Sequence, residues 1–134
     1  MEKDQKSELM DKARMAARNS FAPHSHYPVG AALLAASGAV YLGCNVESSS
    51  YGLTVCAERN AVAAGLVAGE RHFLAMAIFS PNGATPCGAC RQVIWDTCGD
   101  IEIYVVDELG HWQVYQLHEL LPKPFDENKL KEVQ

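Results

Sequence analysis

Residues Phe73 to Ser80 read FLAMAIFS. A Pro81-Asn82-Gly83 break follows, then a helix-like stretch from Cys87 to Thr97 and a second apolar run from Ile101 to Val106. Apolar runs of strand length bounded by turn signals predict strands buried on both faces. Two such runs joined by a helix form a strand–helix–strand unit, whose crossover sets the strands parallel. A parallel pair of this kind needs helices on both sides of its sheet.

Upstream the pattern continues. Cys56 to Ala68 is Ala-rich, carries Val62, Leu66 and Val67, and is closed by Gly69, which predicts a helix able to pack closely on a sheet. Val29 to Ala36 and Val40 to Val46 flank Ser37-Gly38 and predict a hairpin. Ser7 to Ser20 spaces Leu9, Met10, Ala13, Ala16 and Ala17 as a helix, while Pro23 and Pro28 confine Phe21 to Pro28 to a loop. Downstream, Asp107 to Gly110 turns the chain into a fifth strand, Trp112 to Gln116. A short helical turn follows at Leu117 to Leu121, with a terminal helix beyond Pro124. The order predicts an α/β fold: a three-layer α/β/α sandwich with a mixed five-stranded sheet, in one domain spanning residues 1–134.

Composition narrows the function. The chain is 49% hydrophobic and 20% charged, with a net charge of −5 and scattered Lys and Arg, which counts against tRNA or DNA as substrate. No apolar run reaches the ~20 residues of a membrane span, and Met1 to Lys6 lack the apolar core of a secretion signal. The expected compartment is the cytosol, where thiols stay reduced. Five cysteines cannot all pair within the chain, which favours metal binding for some of them.

Cys87-Gly88-Ala89-Cys90 is a C-x-x-C pair at a predicted helix start, where the helix dipole and free amides favour thiolate. Cys56 opens the earlier helix. If the two helices lie side by side, their N-termini meet and three sulfurs converge. Three protein ligands leave a position open for water, the pattern of a catalytic rather than a structural zinc. A fourth ligand from His24, His26, Cys44 or Cys98 would alter that. Cys44 and Cys98 are more simply buried apolar residues, and the histidines more simply loop residues. Glu58, two residues beyond Cys56, can serve as a proton carrier that is not a ligand. Three thiolates on Zn²⁺ leave a net negative charge, and Arg59 can offset it by donating to the sulfurs. A redox dithiol or a structural zinc knuckle is the competing reading of C-x-x-C alone.

Cys56-Ala57-Glu58-Arg59 together with Pro86-Cys87-Gly88-Ala89-Cys90-Arg91-Gln92 resembles the short, homotetrameric, zinc-dependent cytidine deaminases. The likeness runs from about Phe21 to Phe125. It includes Tyr27-Pro28-Val29-Gly30-Ala31-Ala32, Gly43-Cys44-Asn45-Val46-Glu47, and Glu119-Leu120-Leu121-Pro122.

The resemblance implies one Zn²⁺ per chain on Cys56, Cys87 and Cys90, with Glu58 moving protons during deamination of cytidine or deoxycytidine in pyrimidine salvage. It further implies that Asn45 and Glu47 bind the ribose, that the Ala57 amide steadies the pyrimidine O2, and that the Tyr27 ring packs on the base. Phe is common at that last position, so Tyr brings a hydroxyl that needs a partner. By the same likeness Phe125 closes a neighbouring subunit's pocket and Tyr51 reaches across an interface. A blasticidin S-type antibiotic deaminase is the alternative, and Asn45 with Glu47 favours cytidine over it. A polynucleotide deaminase would more typically carry His at Cys56. A zinc-stabilised scaffold without catalysis is the reading from outside the enzymes, and Glu58 argues against it.

Overall fold

The computed structural model describes residues 1–133; Gln134, the last residue of the expected domain, lies outside them. The elements are α1 (Lys3–Ala17), β1 (Gly30–Ala35), β2 (Val40–Cys44), a 3-10 turn (Tyr51–Leu53), α2 (Ala57–Val67), β3 (Phe73–Phe79), α3 (Gly88–Cys98), β4 (Glu102–Val106), β5 (Trp112–Gln116), α4 (Leu117–Leu120) and α5 (Glu127–Lys131).

The five strands form one sheet in the order β2-β1-β3-β4-β5. β3 and β4 pair in parallel from Ala75↔Glu102 to Phe79↔Val106, joined by the α3 crossover. The other neighbours are antiparallel. β2 and β3 run in the same direction with β1 between them, so the β2–α2–β3 connection is also a parallel crossover, one strand wider.

Alternation along β3 separates the two faces. Ala75, Ala77 and Phe79 pack with Leu9, Met10, Ala13 and Ala17 of α1. Met76 and Ile78 point the other way, into a core with Ala57, Ala61 and Val62 of α2 and Ile94 of α3. The expected three layers and mixed sheet are present. Two glycines let the helices approach. A Cβ on Gly30 would lie 1.9 Å from the Ala13 carbonyl oxygen of α1, and one on Gly43 2.3 Å from that of Ala57 in α2. No side chain fits at either contact.

Some boundaries differ from expectation for local reasons. α1 begins at Lys3 rather than Ser7 because Glu2 and Gln5 form a reciprocal capping box. β2 stops at Cys44 rather than Val46, because Val46 leaves the ladder to bridge Phe21 and Val55. Cys56 and Cys87 occupy the N-cap positions of α2 and α3, in extended backbone. The 3-10 turn at Tyr51–Leu53 is additional.

Candidate metal centre and its cavity

Each N-cap cysteine follows a strand through a loop, and the two crossovers bring both helix starts to the same end of the sheet. Cys56 and Cys87 therefore meet although they belong to different connections, and Cys90 joins them from the first turn of α3. The Cys56–Cys87 sulfur distance is 4.0 Å and the Cys87–Cys90 distance 3.5 Å. All three ligand atoms lie within 4.8 Å of one another. A tetrahedral zinc with Zn–S bonds of about 2.3 Å places its sulfurs roughly 3.8 Å apart, so the donor set fits one zinc ion per chain. His24 and His26 are exposed, and Cys44 and Cys98 are half-buried rather than buried as expected. None of these four belongs to the cluster.

The electrostatics favour a thiolate at Cys56. The Cys56 thiol is pushed down to about 5, first by its hydrogen bond to Cys90, with Arg59 and Cys87 adding to the effect. Cys90 moves up in turn, through that same bond and its burial. Arg59 Nη2 donates to Cys56 Sγ at 3.7 Å and to the Thr54 carbonyl at 3.4 Å, while its buried Nε has no partner. The guanidinium thus lies against the Cys56 sulfur.

A cavity of about 360 Å³ opens beside the cluster, lined by Cys56, Cys87, Ala57, Glu58, Tyr27, Asn45, Glu47, Ser25, Val29, Thr54, Ile78, Ser80, Ala84 and Thr85. Glu58 is 4% exposed. Burial holds its carboxyl above the usual range, and the Cys56 charge adds to that. A carboxyl shifted this way, next to three thiols and facing a cavity, has the properties of a general acid–base.

Asn45 and Glu47 line the cavity but are already engaged. Asn45 Nδ2 donates to the Tyr27 carbonyl at 2.8 Å, and its Oδ1 accepts from the Val29 amide at 3.0 Å and from Ser20 Oγ. One amide hydrogen remains for a ligand. Glu47 Oε1 accepts from the His24 and Ser25 amides at 2.8 and 3.1 Å, and Oε2 accepts from Ser25 Oγ. Those bonds, led by the Ser25 hydroxyl, hold the Glu47 carboxyl below the usual range. Within this loop His26 adopts φ 56°, a left-handed conformation costing a non-glycine residue roughly 1 kcal/mol, held in place by the bonds around it.

The Tyr27 hydroxyl finds its partner in Asn82 Oδ1. Phe125 does not line the cavity of its own chain; the residue is 59% exposed, and its carbonyl accepts from Gln92 Nε2 at 2.5 Å. Tyr51 is 75% exposed, its ring 5.5 Å from that of His24.

Several contributors went unassigned in the sequence. Ser80 is 1% exposed, lines the cavity and accepts from the Ala84 amide. Arg91 donates to the Pro86 carbonyl at 2.6 Å, the Leu120 carbonyl at 2.8 Å and Thr85 Oγ1 at 3.0 Å, clamping the loop that carries Cys87. Arg91 lies in the same motif as the cysteines, and a charged residue one turn into a packed helix was the available signal. Ser25 and Ser80 gave none, since a lone serine in a loop is unremarkable.

Three thiols with an open side on a cavity, and a buried carboxyl near them, match the donor set of the zinc site in the hydrolytic deaminase class. The profile of the cytidine and deoxycytidylate deaminase zinc-binding region matches residues 3–106. A cytidine deaminase from Sporosarcina psychrophila is 39% identical over 125 residues, covering 91% of this chain and 92% of its own. One from Halalkalibacterium halodurans is 40% identical over 120 residues, covering 87% and 91%. The crystal structure of cytidine deaminase from Burkholderia pseudomallei superimposes with a TM-score of 0.87 at 38% identity, covering 93% of this chain and all of that one. That from Mycobacterium tuberculosis gives 0.78 at 38% identity, covering 89% and 95%. The chain belongs to the cytidine and deoxycytidylate deaminase family, and no helix among the described residues is long and apolar enough to cross a membrane.

Proposed function

We propose that this enzyme hydrolytically deaminates cytidine and deoxycytidine to uridine and deoxyuridine with release of ammonia, a step of pyrimidine salvage in the cytosol. The observation that carries the reading is the buried Glu58 carboxyl on the cavity, beside the three sulfurs. Relatives named cytidine deaminases at 39% and 40% identity support the substrate. The free state of all five cysteines suits a reducing compartment.

Cys56, Cys87 and Cys90 would hold the zinc, and Arg59 would offset their charge. When bound, zinc supplies the Lewis acidity that makes water a nucleophile near neutral pH. Glu58 takes one proton of the attacking water and delivers it to ring N3 as C4 becomes tetrahedral. It then takes the proton of the new C4 hydroxyl and passes it to the amine, so that the C4–N bond breaks as the C4 carbonyl forms and ammonia leaves. The raised proton affinity of Glu58 suits both directions of transfer. The Ala57 amide, at the free N-terminus of α2 on the cavity wall, would donate to the pyrimidine O2. The Tyr27 ring packs against the base, while Glu47 and the remaining Asn45 amide hydrogen receive the ribose hydroxyls.

The reading includes a homotetramer of a single domain, with Phe125 and Tyr51 of one copy reaching the cavity of another. Both residues are exposed, at 59% and 75%, and so are free to meet a second copy. Light scattering should give four copies, and activity should fall on dilution to the monomer. The antibiotic deaminase alternative gains nothing from the relatives named above. Steady-state rates on cytidine, deoxycytidine and blasticidin S test the choice. Turnover of the first two is expected, and a preference for blasticidin would overturn the reading.

A further inference from the structure

We infer that Asn82 is a positioning residue for the substrate, acting through the Tyr27 hydroxyl. The inference rests on the nucleoside deaminase reading, in which the Tyr27 ring is a wall of the binding cavity. A bare ring would serve as such a wall, so the hydroxyl is a feature of this chain that asks for its own explanation.

The Tyr27 side chain stands on a loop without regular structure, preceding β1. Its backbone is fixed at both polar groups: the amide donates to Ser25 Oγ at 3.1 Å, and the carbonyl accepts from Asn45 Nδ2 at 2.8 Å. Those bonds hold the Cα but leave the ring free to swing about its side-chain torsions. The hydroxyl bond to Asn82 Oδ1 removes that freedom from the far end of the ring, 55 residues away in sequence.

The acceptor is itself braced. Asn82 sits in the turn after β3, where the Gly83 amide donates to the Ser80 carbonyl at 3.4 Å and the Ala84 amide to Ser80 Oγ at 3.0 Å. The Glu108 amide also donates to the Pro81 carbonyl at 3.3 Å. β1 and β3 are sheet neighbours, with Gly30 opposite Phe79, so the two loops emerge side by side at the cavity end. Tyr27 lines the cavity, and Asn82 stands behind it, lining a separate surface groove with His111 and Trp112. The bond therefore joins two independently held loops and sets the ring before a ligand arrives, which lowers the ordering cost of binding.

A wall that packs on the base but exchanges no proton or bond with it holds ground state and transition state about equally, so its loss appears chiefly in KM rather than kcat. The test is a double-mutant cycle on the zinc-loaded enzyme with cytidine as substrate. Asn82→Ala is expected to raise KM about three- to tenfold, the range of one hydrogen bond, with kcat within about twofold, and with zinc content and thermal midpoint at wild-type values. Asn82→Asp keeps the acceptor and should restore KM. Tyr27→Phe should raise KM similarly, and Tyr27→Phe with Asn82→Ala should be no worse than either alone. An unchanged KM in Asn82→Ala, multiplying effects in the double variant, or a KM rise that tracks a lowered thermal midpoint would each overturn the inference. A wild type inactive on cytidine would overturn the functional reading, and this inference with it. An active wild type with silent Asn82 variants overturns the inference alone.

Discussion

One face of the sheet is closed by α1, the other by α2 and α3, and the two coverings are built from similar material. Both use alanines against the strands, and both rely on a glycine that lets helix backbone touch sheet, Gly30 for α1 and Gly43 for α2. They differ in what happens at the helix starts. α1 covers the opposite face by itself, and its start carries its own capping box. α2 and α3 both start at one sheet end, so two sets of unpaired amides and two N-cap cysteines converge there. The buried polar residues Asn45, Glu58 and Ser80 all line the cavity at that end. A single covering helix gives a stable face. Two crossovers sharing one end give a face with a site.

The contrast breaks most visibly at Glu58. Glu58→Gln should keep zinc and fold while kcat falls by about 10²–10⁴-fold; steady-state kinetics with a zinc measurement on the same sample checks it. Next comes the charge balance of the cluster. Arg59→Gln removes the donor at 3.7 Å from Cys56 Sγ, and zinc affinity should fall about 10- to 100-fold in a chelator competition.

The paired glycines sharpen the comparison directly. Gly30→Ala and Gly43→Ala should each cost about 1–3 kcal/mol in denaturant unfolding, since each drives a methyl into helix backbone. Only Gly43→Ala displaces Ala57, the residue between Cys56 and Glu58. It alone should weaken zinc binding and lower kcat, and equal losses in both variants would deny that the faces differ in function. The smallest effect is expected at Ser25. The hydroxyl lowers the Glu47 pKa, so the bond helps the fold above the ordinary value of 4.5 and is lost as pH falls through the lowered one. Ser25→Ala should raise the Glu47 pKa toward 4.5 in an NMR titration. KM should rise only about twofold and stay flat with pH through neutrality, where Glu47 is ionised in both proteins.

Much of this was legible in the sequence because each level carried its own signal. FLAMAIFS, its partner at Ile101 to Val106 and the helix between them predicted the parallel pair, and Cys56 with C-x-x-C predicted the converging sulfurs. Arg59 was placed by charge balance. What was not legible depends on contacts between distant loops. Nothing local to Asn82 says that it will meet Tyr27, and Ser25 gains its role only when Glu47 is folded against it. The early start of α1 lies in a two-residue side-chain exchange that apolar periodicity does not register.

The most direct test of the metal centre and its chemistry is a single preparation of the purified protein assayed for uridine and ammonia from cytidine, with zinc quantified in the same sample. The mechanism predicts one zinc per chain, activity lost on chelation, and activity restored in proportion to zinc returned. Full turnover with zinc well below one per chain would contradict it.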